Sequence, residues 1–449
     1  MRNVLCLAGF LLLLFGCTSS VETDSKIKLI TLDPGHFHAA LIQKSMYPEI
    51  DANVSVYGPD TSDIEFHLNR IEQYNSRESD PTSWNTKVFK GSDFIEQWKK
   101  EGKGNVVMLS GNNQKKTDYI LTAIEEGYHV YADKPMAINA ENYTTLKRAF
   151  ALADEKQLLI YDIMTERFEI TTLLQKELSQ IPSVFGNLIQ GSVEEPAITK
   201  ESVHHYYKNV SGAPLIRPTW FFDTQQQGEG IADVSVHLVD LTFWECFPNT
   251  SIYTSDIEVI QAERWPTLLS TAKFKKVTGG AEIPDYLQPS LANDTLSIYA
   301  NGAISFTVKG HHAKVSVLWN YEAPNGGSDT HYSIMRGTNA HLVIVQDEEH
   351  KYTPTLYILP QKEIDESILQ QAITSLKVTY PGIELTSTSN GWRVDIPNKL
   401  REGHEAHFAA VTKNFISYYQ NQSIPQWERD NMITKYYLTT QALSQAKNR

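Results

Sequence analysis

A predicted strand that ends in Asp133-Lys134-Pro135 carries the clearest chemical signal in the sequence. The apolar run before it is typical of a buried parallel strand, and ligands of open α/β sheets bind at the carboxyl ends of such strands. A lysine at that edge can donate or accept a proton, with a lowered pKa where a cofactor cation lies nearby. A solvated loop lysine is the alternative interpretation.

A second group of titratable residues lies much further along the chain. Asp233, His237 and Asp240 are spaced i, i+4 and i+7, so a helix places all three on one face. A histidine between two carboxylates is an oriented acid or base with a fixed tautomer. A core histidine with satisfied hydrogen bonds is the alternative.

A third group, Ser110-Gly111-Asn112-Asn113, follows the fourth predicted strand and precedes a helix. Backbone N–H groups and amide side chains at such a strand end suit contacts with a ribose or a phosphate. Capping of the helix by an asparagine would also explain the amides.

Short β-branched runs alternate with amphipathic stretches from Ile27 onward, which predicts an α/β Rossmann-like doubly wound parallel sheet over residues 27–165. Gly127 is predicted to stop a helix before the fifth strand. The predicted strands are 27–32, 53–57, 86–90, 105–109, 128–132 and 157–161, and the predicted helices lie near 38–46, 63–75, 114–126 and 139–155.

Residues 166–449 show a different pattern, which predicts an α+β domain with a large, mainly antiparallel sheet. Asn301-Gly302 predicts a hairpin turn between two of its strands. A helix is predicted at 231–245, and two more follow near the C-terminus. The alternating stretches predicted as strands include 186–194, 296–310, 314–321 and 340–346.

The N-terminus is typical of a bacterial lipoprotein signal. Arg2, a short apolar run and Leu14-Phe15-Gly16-Cys17 resemble a lipobox, in which Cys17 is acylated and the preceding residues are removed. We expect a signal peptide at 1–17, a polar tether at 18–26 and a lipid-anchored protein on the periplasmic side of a bacterial membrane. A plain signal peptide with an incidental cysteine is the alternative.

Bulk composition excludes several classes of function. A net charge of -13 argues against nucleic acid binding, which needs a basic surface. No segment after the signal reaches the roughly 20 apolar residues of a membrane helix, so the lipid is the only membrane contact expected. Cys246 would be the one thiol left after processing and lipidation, and a buried core position is its expected place.

The order and spacing of the three groups resemble the glucose–fructose oxidoreductase / inositol dehydrogenase (Gfo/Idh/MocA) family. Asp133-Lys134-Pro135 stands where the family has Glu-Lys-Pro, and Gly111-Asn112-Asn113 stands where it has Thr-Pro-Asn. The segment from Asp233 to Asp240 matches the family's Asp-x-Gly-x-His-x-x-Asp helix, with Ser235 in place of the glycine. The resemblance extends from Ile27 to Trp244, and more narrowly to exported lipoprotein members.

The resemblance implies an oxidoreductase that uses NAD or NADP on a ring hydroxyl of a sugar or glycoside, with C3 as the expected position. Lys134 and His237 would handle the hydroxyl proton, and Asp233 would bind substrate hydroxyls or orient His237. A tightly bound, recycled cofactor and a coupled elimination or glycosidic cleavage belong to the same expectation. The predicted cofactor-binding residues are Pro34, Gly35, His36, Phe37, Ser110, Gly111, Asn112, Asn113, Asp133, Lys134 and Pro135.

Substrate binding is predicted for Arg167, which stands where the family has an arginine after strand six, and for Asp240. The stretch 204–222 is rich in aromatic residues, as a sugar site requires, and its Lys208, Arg217 and Trp220 are further predicted substrate contacts. A partly buried surface loop is the alternative for that stretch.

The first strand–turn–helix departs from the family's GxGxxGxxH motif. Counted back from His38, its glycine positions fall on Ile30, Leu32 and Gly35. If a dinucleotide binds, we expect the helix start at 35–38, with His36 or Phe37 at the pyrophosphate, to replace the glycine cradle.

Two other functions remain open from the sequence. A redox-inactive carbohydrate-binding lipoprotein with the same fold is the first. The second is a metal-dependent hydrolase built on the C-terminal histidines, but His404 and His407 have i, i+3 spacing and a helix start with exposed histidines is expected there. No metal site is therefore predicted, and the expected partners are a sugar or glycoside and a second copy of the chain that pairs through the antiparallel sheet.

Overall fold

A computed structural model describes residues 26–210 and 213–448. The predicted signal peptide and Cys17 lie outside the described residues. Among the helices of the described part, none is long and apolar enough to cross a membrane. The extent of each domain and the pairing of two copies stay predictions.

The first half of the chain forms a six-stranded parallel sheet in the order β3-β2-β1-β4-β5-β6. Strands β1, β4, β5 and β6 are buried along their whole length, as their continuous apolar sequences require of strands covered on both faces. The strands are β1 (Leu29–Leu32), β2 (Asn53–Gly58), β3 (Asn85–Lys90), β4 (Val106–Leu109), β5 (His129–Asp133) and β6 (Ile160–Ile163).

The helices of this half agree with the sequence pattern, with one addition and one shortening. Helix α3 was not predicted, although Phe94 and Trp98 form its buried face. Helix α1 ends after four residues. Gly127 lies just beyond α4 with φ +89°, as predicted for a helix stop. The helices are α1 (His38–Leu41), α2 (Ser62–Ser76), α3 (Phe94–Glu101), α4 (Asn113–Glu125) and α5 (Ala140–Lys156).

The second half contains the predicted large sheet, in the order β10-β12-β13-β7-β14-β15-β16-β18-β17, with β11 paired to β12. All neighbours are antiparallel except β7 and β13. Its strands, with the small β8–β9 pair, are β7 (Ile198–His205), β8 (Asn209–Val210), β9 (Ala213–Pro214), β10 (Ile257–Ser270), β11 (Leu291–Ala292), β12 (Thr295–Val308), β13 (His311–Asn320), β14 (Thr330–Arg336), β15 (Ala340–Gln346), β16 (Thr355–Pro360), β17 (Glu384–Thr388) and β18 (Gly391–Asp395).

Two predictions for this sheet were wrong. Asn301-Gly302 is not a turn but lies inside β12, and the hairpin to β13 turns at Lys309 and Gly310, both with positive φ. Residues 186–194 form only isolated bridges. The fold class predicted from the sequence is nevertheless confirmed.

Six further α-helices of the described residues accompany the sheet, and the last two return to the first half of the molecule. Phe408 and Phe415 of α10 and Tyr436 of α11 are buried with the side chains of the parallel sheet. Phe415 stacks on Tyr131 of β5 with ring centroids 4.6 Å apart. The helices are α6 (Ile170–Ser179), α7 (Ser235–Cys246), α8 (Thr271–Val277), α9 (Glu366–Leu376), α10 (His404–Asn421) and α11 (Gln426–Lys447).

Candidate active site

Lys134 and Asp233 meet where the carboxyl end of β5 faces the start of α7. The Lys134 ammonium donates to Asp233 Oδ1 at 2.7 Å, and Gln227 Nε2 donates to Asp233 Oδ2 at 2.8 Å. The side chain of Lys134 is 16% exposed and that of Asp233 is 7% exposed. The pair therefore joins the two halves of the molecule, and both of its side chains are mostly shielded from water.

His237 lies one helical turn beyond Asp233, in α7, and is half-buried. Its Nδ1 is buried and has no hydrogen-bond partner in the described part of the chain. Burial lowers the pKa of His237 well below its usual range, and the ammonium of Lys134 lowers that pKa further. The imidazole is therefore neutral near pH 7 and can accept a proton.

Arg167 and Asp240 form part of a buried ion network. Arg167 donates to both oxygens of Asp240 at 2.6 and 2.7 Å and to Glu428 at 2.8 Å. Lys435 joins Asp240 at 2.7 Å and Asp162 at 2.8 Å. Burial alone would raise the pKa of Asp240, but the charges of Arg167 and Lys435 outweigh burial and lower that pKa well below its usual range. Contacts of Arg167 and Asp240 with a sugar stay predictions, and every charge of theirs already faces a protein partner.

The turn between β1 and α1 folds onto the end of β4. The backbone N–H groups of Gly35 and His36 both donate to the Ser110 carbonyl, at 3.1 and 3.2 Å. A Cβ on Gly111 would lie 2.5 Å from the Asp33 carbonyl oxygen and 2.8 Å from Gly35 N, so the two backbones are in contact. The N–H groups that a Rossmann turn offers to a pyrophosphate are used inside the protein here.

Two carboxylates lie beside the same turn. Tyr119 donates to Asp33 at 2.9 Å, and the indole of Trp220 donates to Asp63 at 3.2 Å. Burial raises the pKa of both carboxyl groups, and the charge of Asp33 further raises the pKa of Asp63. A pyrophosphate would be repelled by these carboxylates. The residues of the turn therefore do not fit the pyrophosphate of a nicotinamide dinucleotide.

Asn112 and Asn113 contact the second half of the chain. Asn112 Nδ2 donates to Gln226 Oε1 at 2.7 Å, and Asn113 Nδ2 donates to the Gln227 carbonyl at 2.7 Å. Asn112 Oδ1 also accepts from Gln114 N, so the capping role considered from the sequence is present. Their predicted cofactor contacts, like those of Pro34 and Gly35, stay predictions.

His36, His38 and Asp133 form a compact cluster between the turn and the end of β5. Asp133 Oδ2 lies 3.4 Å from His36 Nδ1 and 2.9 Å from His38 Nδ1, and it accepts from Ser110 Oγ at 2.8 Å. Burial lowers the pKa of His38 to about 4 and also lowers that of His36. Burial alone would raise the pKa of Asp133, but the two histidines outweigh it and lower that pKa well below its usual range.

The aromatic stretch packs around Arg217 rather than around an open groove. The guanidinium of Arg217 donates to the carbonyls of Tyr206 and His205 and lies over the ring of Phe221, 4.5 Å from its centroid. Burial lowers the pKa of Arg217 to about 10. Lys208 pairs with Asp329. These contacts favour the partly buried loop considered from the sequence, although part of the loop still lines a space next to Asp233.

That space is narrow. A cavity of about 10 Å³ is lined by Tyr206, Phe221, Asp233 and Trp319, among others, which is roughly the room that one water molecule needs. As it stands, this cavity is too small for a sugar ring. A larger cavity of about 360 Å³ lies between α4, α5 and α11 and includes none of the predicted site residues.

Comparison with known proteins identifies the family. Residues 174–447 match the family described as "Putative oxidoreductase C terminal domain". A crystal structure of a "putative oxidoreductase" from Parabacteroides merdae is 50% identical, with 94% of this chain and 98% of that chain covered and a TM-score of 0.92. The chain belongs to this oxidoreductase family. The predicted Gfo/Idh/MocA membership is thus confirmed.

More distant oxidoreductases share the fold. One, from Thermotoga maritima, is 14% identical with a TM-score of 0.59, and the match covers 94% of this chain and 98% of that chain. KijD10 from Actinomadura kijaniata, a 3-ketoreductase crystallised with NADP and TDP-benzene, is 13% identical with a TM-score of 0.53 and 91% and 95% coverage. At these identities the likeness concerns the fold alone. No protein of curated function matches the sequence.

Sequence reasoning brought Lys134 and Asp233 together correctly but missed several residues around them. Lys116 is 2% exposed and donates to the carbonyl of Asp133 at 3.0 Å, and burial lowers its pKa to about 8. Lys116 lies at the start of α4 among other polar residues, and that local sequence does not indicate that its side chain is buried. From the sequence, His36 was predicted to contact the cofactor, and His38 served only to align the family's glycine motif. Their i, i+2 spacing next to a strand end could have suggested a joint role.

The C-terminal histidines differ from expectation. Helix α10 begins at His404, as predicted, but His407 is 7% exposed and His404 is half-buried, so the expectation of exposed side chains was wrong. The ring of His404 stacks on that of His38, with centroids 4.8 Å apart. This packing brings α10 against the β1–α1 turn.

Proposed function

We propose that this member of the oxidoreductase family acts on a ring carbon of a sugar or glycoside, at or next to C3, by moving protons with Lys134, Asp233 and His237. The observation that carries the proposal is the Lys134–Asp233 ion pair at 2.7 Å, one helical turn from a half-buried, neutral histidine whose Nδ1 has no partner among the described residues. A cation and a neutral base held side by side are the groups that proton transfer at a hydroxyl-bearing carbon requires.

Each residue has a separate task in this proposal. Asp233 holds the Lys134 ammonium in place, so that the ammonium stabilises negative charge on a substrate oxygen. The imidazole of His237 takes the proton from the hydroxyl or from the carbon next to a ketone. Gln227 keeps Asp233 from turning, because it binds the carboxylate oxygen that Lys134 does not.

The nicotinamide cofactor is the finer part of the sequence prediction. NAD or NADP would accept hydride from the substrate carbon, and the 3-ketoreductase crystallised with NADP supports that choice by its fold. The β1–α1 turn does not fit the pyrophosphate, so the proposal is carried by the proton-transfer residues. Elimination, epimerisation or glycosidic cleavage next to a ketone needs only those residues.

Deuterium exchange tests the proposal. A 3-keto glycoside incubated with the protein in D₂O should lose the proton at C2, as followed by NMR. We expect exchange to fall by roughly 10²-fold or more in Lys134→Ala and in His237→Ala, because each removes one proton-transfer group. Lys103→Ala, an exposed lysine of the same half, should exchange like the wild type.

Two outcomes of that experiment contradict the proposal. Full exchange in both site variants, with folding confirmed by circular dichroism, would exclude these residues. An absence of exchange in the wild type, with a panel of glycosides bound, would favour a redox-inactive carbohydrate-binding protein. NAD(H) or NADP(H) released from the denatured protein would establish the dehydrogenase form of the proposal.

We further propose that the protein is exported and anchored through a lipid on Cys17. The lipobox pattern before Cys17 supports this. Cys17→Ser should move the protein from the membrane fraction of the expressing cell into the soluble fraction, because it removes the acylated thiol. Cys6→Ser, within the predicted signal peptide, is the matched control and should leave the protein on the membrane. Membrane attachment of Cys17→Ser would contradict the proposal.

A further inference from the structure

We propose that His36, His38 and Asp133 form a binding site for a divalent transition-metal cation of the zinc class. This inference goes beyond the proposed proton-transfer function, and it places a metal where the sequence predicted dinucleotide contacts. The metal pattern considered from the sequence, at His404 and His407, was a different one.

The distances in the cluster suit a metal. One ligand atom from each of the three residues lies within 4.8 Å of the other two. The Asp133 oxygen is 2.9 and 3.4 Å from the two ring nitrogens. Ligands about 2.0–2.1 Å from a tetrahedral zinc ion are separated from one another by roughly 3.3 Å, so a small movement of the side chains accommodates the ion.

The second oxygen of Asp133 is the independent observation. Asp133 is 3% exposed, and its Oδ1 is buried with no hydrogen-bond partner among the described residues. A buried carboxylate oxygen without a partner is energetically unfavourable, because it has lost its hydrogen bonds to water. The hydrogen bonds from His38 and Ser110 go to Oδ2 and leave Oδ1 without a partner, which a cation bound by both carboxylate oxygens would supply.

The cluster also has supports of the kind found around metal ligands. Ser110 Oγ donates to Asp133 Oδ2, and Lys116 donates to the Asp133 carbonyl, so the carboxylate is held in orientation. The ring of His404 packs against that of His38 and fixes its plane.

The donor set selects the class of metal. Two imidazoles and one carboxylate suit zinc or iron(II), whereas magnesium and calcium prefer oxygen ligands. Three protein ligands leave a position for water or a substrate oxygen, as in catalytic sites. Because Asp133 is followed directly by Lys134, the metal would lie next to the proposed proton-transfer residues.

Metal binding to the purified protein tests the site. After treatment with a chelator, the wild type should take up one equivalent of Zn²⁺ and show no competition from Mg²⁺. His36→Gln and His38→Gln should each weaken zinc binding by at least roughly tenfold, because each removes one ligand. With Co²⁺ in place of zinc, the wild type should give the visible absorption of a low-coordinate site, and the variants should lose it.

The control is His350→Asn, which removes a histidine that pairs with Asp347 and belongs to no potential metal-ligand group of the described residues. It should bind zinc like the wild type. No stoichiometric zinc uptake by the wild type, or equal uptake by wild type and both cluster variants, would overturn the proposal. Lys134→Ala separates the two proposals: it should keep zinc while losing deuterium exchange, so either proposal can fail alone.

Discussion

His67 in α2 is a buried histidine that the proposed function does not use. Both of its ring nitrogens are buried without a partner in the described part of the chain, and burial lowers its pKa to about 4, with Arg70 as the second cause. The unfolded chain, with a histidine pKa of about 6.5, binds a proton more readily than the folded one. Stability is therefore complete above about pH 6.5 and is lost as pH falls toward 4.

We predict that His67→Leu removes this part of the pH dependence. Leucine fills a similar volume without the two unpaired nitrogens, so the variant should unfold at the same or higher urea concentration than the wild type at pH 5. The wild type should lose stability between pH 7 and pH 5 by about 1–2 kcal/mol more than the variant. Urea titrations of both proteins at the two pH values measure this difference. Identical losses of stability would contradict the prediction, because they would show that folding does not lower the pKa of His67.

Individual residues also show where sequence reasoning ends. Lys134 and Asp233 were predicted to share a site because one follows a strand of a parallel sheet and the other starts a helix in a known motif. The partners of Asp240 could not be predicted in that way, since Lys435 lies in the last helix. The position of Asp240 on the same helix face as His237 does not indicate which distant cation pairs with the Asp240 carboxylate.

Elements are tied together by the buried ion network. Arg167 follows β6, Asp240 lies in α7, and Glu428 and Lys435 lie in α11. Removal of one partner from such a network leaves an uncompensated buried charge, which costs about 3–5 kcal/mol. The network therefore locks three elements that are far apart in the sequence.

We predict that Arg167→Met lowers the free energy of unfolding by about 3–5 kcal/mol, since it leaves Asp240 and Glu428 short of a cation. Arg148→Met is the matched control, because Arg148 pairs with Glu125 on the surface and its side chain is 69% exposed. Its effect should stay within about 1 kcal/mol. Urea unfolding measures both. A stable Arg167→Met protein that no longer binds sugar would instead support the substrate contact predicted from the sequence.

The Asn301-Gly302 pair shows how packing overrides a local turn signal. Asn301 is 1% exposed, and its side chain bonds to Trp265 O and Thr267 on β10 and to Trp319 N on β13. A Cβ on Gly302 would lie 2.2 Å from Ile231 Cγ1. Glycine is therefore required there for close approach to the segment before α7, and its φ is not that of a turn. Local sequence alone cannot distinguish these two uses of glycine.

At the scale of the whole molecule, the sequence predicted the two sheets well because their periodicities differ. Continuous apolar strands between helices indicate a parallel sheet, and alternating strands indicate a half-exposed antiparallel one. The return of α10 and α11 to the first sheet could not be predicted, since an apolar helix face does not specify which sheet it covers. The sequence shows that the first turn lacks two of the family's glycines, but it does not predict the backbone contact between Gly35 and Gly111.

The same return of α10 and α11 constrains the order in which the protein can fold. Tyr131 of β5 is covered by Phe415, and Asp162 of β6 is neutralised by Lys435, so the first sheet is incomplete until the last helices are available. Domains usually fold as they emerge from the ribosome, N-terminal part first. In this protein, the apolar surface of the first sheet stays uncovered until α10 and α11 have been synthesised. The packing of the first sheet is therefore completed only after these two helices have been synthesised.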